Sequence, residues 1–321
     1  MFRAAVTGVV LLGVLPIDAC AQAYPSRPIR MIVPFSAGGP ADATVRLVAP
    51  RLSDVLGQQV VIDNRGGGSG IIGIDMTAKA APDGHTMIGI SSAFSINATL
   101  FPKLPYDSLR DFAPVVPLAY GPGILVVHPS LPAKSFPELV ALAKSKPRTI
   151  PFASSGTGSP GHLTFELLRK LTGLELVHVP YKGMGPGITD LLGGHVQLAI
   201  PTVSIAFPHV RTGRLRALAV TSAQRWPGAP DLPTIAESAV PGFESTLWYG
   251  ILAPARTPEA IVARVNAEVA KVVALPEVRE RFDALGMVPM RMSPAAWAGY
   301  IRGEIDRWAV VVRESGARPD S

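Results

Sequence analysis

The chain has 321 residues, 48% apolar and 17% charged, the balance of an ordered globular protein long enough for one large or two medium domains. Its 30 Lys and Arg against 24 Asp and Glu leave a net charge of +6, but the basic residues are scattered singly with no basic run among aromatics, which excludes a nucleic-acid partner. A single cysteine excludes a disulfide framework and a Cys-based metal site.

Residues 1–23 carry one early charge, Arg3, then an apolar stretch over 4–15, and end in Ala21-Gln22-Ala23, a small-x-small cleavage site. They read as a secretory signal peptide, too short in its apolar core to span a bilayer. Residues 17–20 imitate a lipoprotein box around Cys20, but Asp18 fits that box badly, so cleavage after Ala23 is preferred and the mature chain is left without a thiol.

The first mature strand is expected at 29–33, a tight loop at Pro34-Phe35-Ser36-Ala37-Gly38-Gly39-Pro40, and then an amphipathic helix opened by Asp42, with Val45, Leu47, Val48, Leu52, Val55 and Leu56 as its apolar residues. Pro50 predicts a kink or break in that helix. Strands follow at 60–62 and 86–90. Residues 112–133 have no Asp, Glu, Lys or Arg but contain five prolines, which forbid a membrane helix. That stretch reads as strands 113–118 and 124–127 around a Tyr120-Gly121-Pro122-Gly123 turn.

Ser135 with Glu138 makes a capping box, and a short apolar run ending at Phe152 leads into Ala153-Ser154-Ser155-Gly156-Thr157-Gly158-Ser159-Pro160. Ser159 and Pro160 are an N-cap and an N1 proline, so this junction leaves unpaired N–H groups at the positive end of a helix. Together with the loop at 34–40 it suggests a pincer for an anionic small molecule. Further strands are expected at 176–179, 196–200, 215–220 and 247–252, with helices begun by Thr257-Pro258 and Ser293-Pro294. The alternation implies an α/β fold with sheets covered on both faces.

Enzyme motifs do not hold. Gly156-Thr157-Gly158-Ser159-Pro160-Gly161 matches the dinucleotide pattern, but so does Gly68-Ser69-Gly70-Ile71-Ile72-Gly73, and neither is followed by the acid that would hold a ribose at the end of the next strand. The six histidines show no metal-binding spacing, and His162 reads as structural. Trp248 and Tyr249 read as core. No catalytic residue, metal or cofactor is expected, and a nicotinamide enzyme using residues 156–161 stays as the distant alternative.

Tyr24-Pro25-Ser26-Arg27-Pro28-Ile29, the loop at 34–39, Asn64-Arg65, Ala81-Pro82-Asp83-Gly84, Leu104-Pro105-Tyr106-Asp107, residues 153–159, Val179-Pro180-Tyr181-Lys182-Gly183 and Leu252-Ala253-Pro254 together resemble the substrate-binding proteins of tripartite tricarboxylate transporters, the Bug family. The resemblance runs through the whole mature chain. It implies a type II periplasmic binding protein fold, a Venus flytrap whose two α/β lobes are joined by two crossing strands near 121–127 and 246–252. Lobe 1 would comprise 24–122 plus 250–321, and lobe 2 123–249.

It further implies a periplasmic, monomeric receptor that takes a small organic carboxylate through backbone amides, hydroxyls and waters and passes it to membrane permease subunits, or reports it to a signalling kinase. The ligand residues so implied are Phe35, Ser36, Ala37, Gly38, Gly39 and Asp42 on one side, Ser91 and Ser92 at the end of strand 86–90, and Ser154, Ser155, Gly156, Thr157 and Gly158 on the other. Pro201 and Thr202 stand where relatives place an acid facing the cleft. Proline carries neither charge nor N–H, so the pocket is expected to prefer carboxylates without an amino group.

Overall fold

Short apolar runs bounded by glycine and proline give strands, and the capped amphipathic stretches between them give helices that cover the sheets. The structure, a computed structural model, describes residues 24–181 and 183–319. The signal peptide, Cys20 and Lys182 therefore lie outside the described residues.

The first half places β1 (Ile29–Val33), α1 (Pro40–Leu56), β2 (Val60–Asn64), α2 (Ile71–Ala78), β3 (Thr86–Ser91), α3 (Ala93–Leu100) and β4 (Phe112–Pro122) in order. There follow β5 (Ile124–Val127), α4 (Phe136–Ser145), β6 (Pro151–Ser154), α5 (Pro160–Thr172), β7 (Val177–Pro180), α6 (Met184–Leu192), β8 (Leu198–Ala199), α7 (Val203–Arg211), β9 (Arg216–Val220) and α8 (Ile235–Ser238). The chain ends in β10 (Thr246–Pro254), α9 (Glu259–Val272), α10 (Pro276–Ala284), β11 (Val288–Pro289) and α11 (Pro294–Ser315). No helix among the described residues is long and apolar enough to cross a membrane.

Two sheets result. The first has the order β11-β4-β10-β3-β1-β2 and the second β7-β6-β8-β5-β9. β1, β2 and β3 are parallel, as are β6, β7 and β8, while β10 and β5 enter their sheets antiparallel to β3 and β8. Side chains obey the period of two. Ile29, Met31 and Val33 of β1 and Tyr249, Ile251 and Ala253 of β10 face the core beneath α1, α9 and α10, whereas Ile32, Trp248 and Leu252 face the one that contains Trp297 and Ile301 of α11.

The chain crosses from the first sheet to the second between β4 and β5 and returns before β10. Thr221 ties both crossings together. Its buried hydroxyl accepts the Gly123 N–H at 2.8 Å and donates to the Ser245 carbonyl, and its backbone bonds the same two residues. A second junction between the halves is apolar: Ile96 and Leu100 of α3 and Trp308, Val311 and Val312 of α11 pack with Leu163 of α5.

Two local expectations are corrected. There is no turn at residues 120–123, because β4 runs on to Pro122 and only Gly123 separates it from β5. The prolines are absorbed by register shifts against β10: Tyr249 faces Ala119 but Gly250 faces Pro117, and Ile251 faces Val116 but Leu252 faces Pro114. Each shift sets one extra residue on β4 beside a proline, the place in a sheet where a missing N–H breaks no ladder bond. In the same way α1 passes Pro50 without a break. Pro50 and Arg46 both lie on the exposed face, so the carbonyl that the proline leaves unbonded is solvated.

Candidate ligand-binding site

Parallel strands followed by helices place every strand-to-helix junction at the carboxyl end of its sheet. Five such junctions meet across one cavity of about 330 Å³. Gly39, Pro40 and Ala41 come from the start of α1, Ser91 and Ala93 from the start of α3, Pro160 and Gly161 from α5, Met184 and Gly185 from α6, and Pro201 and Thr202 from the start of α7. The first sheet supplies two of these helix N-termini and the second supplies three.

Four of the five have no side-chain cap: at Gly39, Ser92, Gly183 and Thr202 no N-cap side chain accepts from an N–H of the helix, and only Ser159 does so, from the His162 N–H. Their free N–H groups and positive dipole ends favour an anion, each by roughly 0.3–1 kcal/mol. No Asp, Glu, Lys, Arg or His lines the cavity among the described residues. Phe35, Ile205, Leu247 and Tyr249 close it with apolar surface. The cavity thus offers an anion N–H groups and hydroxyls, and offers its body hydrocarbon.

The loop before α1 is supported from behind. Asp42 is 1% exposed, and its carboxylate accepts from the Gly38 N–H at 2.8 Å, the Arg46 guanidinium at 2.8 Å and the Asn64 amide at 2.9 Å. Asn64 also donates to the Phe35 carbonyl at 3.1 Å. Burial works to raise the Asp42 pKa, but the bonds from Arg46, Gly38 and Asn64 together hold it below the usual carboxylate range. Asp42, expected among the ligand residues, does not line the cavity: three bonds to its carboxylate hold the loop and the first turn of α1 from behind.

The loop before α5 is held by a different device. The Ser154 hydroxyl, fully buried, donates to the Gly156 carbonyl at 3.0 Å and pairs with His178 Nε2 at 2.6 Å. His162 Nδ1 accepts the Gly158 N–H at 3.0 Å, and the two imidazoles stack with centroids 3.9 Å apart. Ser154 is likewise a support rather than a wall, and His162 has the structural role its sequence position suggested.

Of the expected contacts, the structure brings Phe35, Gly39, Ser91, Ser155, Pro201 and Thr202 to the cavity. Ser36, Ala37 and Gly38 form the exposed tip of the first loop, while Gly156 is buried in the second and Thr157 is half-buried there. Ser92 is buried at the cap of α3, its hydroxyl without a partner among the described residues. The start of α6 and Tyr249 were missed. A signal for α6 was present, since Gly183-Met184-Gly185-Pro186-Gly187 repeats the small-residue character of the other two loops; nothing local marked Tyr249.

Gly158, also among the expected ligand residues, does not line the cavity. It is buried at φ +76°, and a Cβ there would overlap Leu100 Cδ2 of α3 in the other half of the molecule. Packing between the halves and the left-handed backbone thus each require glycine here. Gly158→Val is expected to destabilise the unliganded protein by about 1–3 kcal/mol, and Leu100→Ala in the same chain to recover part of the loss. Urea unfolding of the single and double variants measures both; a Gly158→Val protein of wild-type stability would contradict the packing account.

The sequence profile described as the tripartite tricarboxylate transporter family receptor matches residues 44–317. Protein BugT of Bordetella pertussis is 41% identical over 300 residues, covering 93% of this chain and 92% of its own length. Among solved structures, Rpa4515 of R. palustris with adipate superposes with a TM-score of 0.83 at 38% identity, covering 92% of this chain and all of its own. MatC from Rhodopseudomonas palustris with bound malate gives 0.78 at 34%, over 90% of this chain and all of its own. These relatives are solute-binding receptors rather than enzymes, and with them the two-sheet fold is that of a type II periplasmic binding protein. The chain belongs to the tripartite tricarboxylate transporter receptor family.

Proposed function

We propose that this protein is a periplasmic receptor that captures a small organic carboxylate in the cleft between its two lobes and delivers it to membrane permease subunits. The observation that carries the reading is the convergence of five helix N-termini, four of them without a side-chain cap, on a cavity lined by no charged side chain among the described residues. Such a site binds a carboxylate through dipoles and N–H groups, with no salt bridge to hold the ligand after the lobes part. That the relatives Rpa4515 and MatC were solved with adipate and malate supports the same ligand class here.

On this reading the same walls serve capture and release. The cavity walls come from both sheets, so a ligand bridges them and favours the closed arrangement by its own differential contacts. The Thr221 tie at the crossings gives that motion its pivot.

A thermal-shift screen with adipate, malate, succinate, aspartate and a nicotinamide dinucleotide tests the reading. A carboxylate at 100 times its dissociation constant should stabilise the protein by about 2.7 kcal/mol. Succinate should bind more tightly than aspartate, because Pro201 and Thr202 at the cavity offer an ammonium group no carboxylate partner. Indifference to every carboxylate together with stabilisation by the dinucleotide would overturn the receptor reading, and tighter binding of aspartate would overturn the role given to Pro201.

A further inference from the structure

Tyr249 lies in β10, the strand by which the chain returns from the second lobe, and lines the ligand cavity while only 4% exposed. Its ring packs into the core beneath α1, but its hydroxyl has no hydrogen-bond partner among the described residues. Burial pushes the phenol pKa up, so the group stays a neutral O–H across the physiological range. An unpartnered hydroxyl on a residue that lines a cavity finds its partner in whatever fills that cavity.

The register supplies a second hydroxyl. Tyr249 stands directly opposite Ser91 of β3 in the antiparallel ladder, so both side chains leave the same face of the sheet with their Cβ atoms roughly 5 Å apart. Ser91 also lines the cavity, and it too has no side-chain partner among the described residues. The other hydroxyls at the cavity, those of Ser155 and Thr202, belong to the helix junctions of the second sheet, and the Thr202 hydroxyl pairs with Ser204 at 3.0 Å, so Tyr249 and Ser91 are the hydroxyl pair on the first sheet's wall. Two hydroxyls can donate and accept, and so suit either a second carboxylate or a ligand hydroxyl.

Resting on the carboxylate-receptor reading, we propose that Tyr249 and Ser91 form a two-hydroxyl station that binds one oxygen of the ligand and selects carboxylates with a second oxygen function. The helix N-termini take the first carboxylate. The apolar wall, including Leu247 two residues earlier on the same strand face as Tyr249, covers the carbon chain between them.

Calorimetric titration of adipate, malate and hexanoate against wild type, Tyr249→Phe, Ser91→Ala and the double variant tests the assignment. Tyr249→Phe keeps the ring and should leave the unliganded melting temperature unchanged or slightly raised. Its affinity for adipate or malate, whichever wild type binds more tightly, should fall about tenfold, while that for hexanoate stays within twofold. Because both hydroxyls meet one ligand oxygen, the double variant should lose less than the product of the single losses.

Undiminished affinity in Tyr249→Phe, an equal loss toward hexanoate, or fully multiplicative losses would each overturn the station while leaving the receptor reading intact. Failure of wild type to bind any of the three probes would remove the receptor reading, and this assignment with it.

Discussion

Replacing Glu304 with alanine is expected to cost about 3–5 kcal/mol, because it breaks a buried charged network rather than a surface pair. Glu304 of α11 is 6% exposed. Its Oε2 accepts the indole N–H of Trp248 at 2.9 Å and of Trp308 at 3.2 Å, and its Oε1 meets Arg307 at 2.8 Å. Trp248 and Trp308 are 0% and 1% exposed, so neither N–H can turn to water once the carboxylate is gone. Each orphaned donor carries a penalty of roughly 1–3 kcal/mol, to which the emptied side-chain volume adds.

The contrast with Glu304→Gln isolates the hydrogen bonds from the charge. Glutamine keeps one acceptor oxygen for the indoles, so its loss should be clearly smaller than that of alanine. Denaturant unfolding of both variants gives the numbers, and an alanine variant within about 1 kcal/mol of wild type would show that α11 and β10 hold together without the carboxylate. The network bears on function because Trp248 precedes Tyr249: it anchors α11 to the strand that carries the cavity wall.

Asp42→Ala is expected to reduce stability by about 2–3 kcal/mol and ligand affinity by tenfold or more, through the loop and not through a lost ligand contact. The variant leaves the Gly38 N–H and the Asn64 amide without their acceptor, whereas Arg46, half exposed, is rehydrated. Once released, residues 36–39 must be ordered by the ligand itself, and that entropy is subtracted from binding. Calorimetry on the variant should show weaker binding of the same ligands; loss of stability with unchanged affinity would place Asp42 in the scaffold only.

The same carboxylate predicts an acid dependence. Its pKa in the folded protein lies below its unfolded value, so its contribution is fully present above about pH 4 and is lost as pH falls through the folded value. Asp42→Asn should therefore be less stable than wild type at neutral pH and show a shallower fall in stability between about pH 5 and 2. Unfolding curves across that range decide the matter, and parallel profiles for the two proteins would contradict it.

Much of the fold is written in short-range chemistry. Ser159-Pro160 and Ser293-Pro294 start α5 and α11 because an N-cap hydroxyl and an N1 proline act on the next three residues alone, whatever surrounds them. The apolar runs of β1 and β10 and the donor-rich loops before α1 and α5 are legible for the same reason. Only the tertiary structure decides which junctions share a cavity. Residues 39, 91, 160, 184 and 201 are brought together by the parallel order of each sheet and by the antiparallel return of β10, both set by long-range pairing.

That pairing also places Tyr249 opposite Ser91, lets β4 run through Pro114 and Pro117 by shifting register, and puts Leu100 against Gly158. It turns Asp42 behind the loop toward Asn64, 22 residues further along the chain. A local pattern states what a residue can do for its own turn or strand. Whether a serine, tyrosine or aspartate faces ligand, core or loop depends on partners far along the chain, which the sequence alone does not bring side by side.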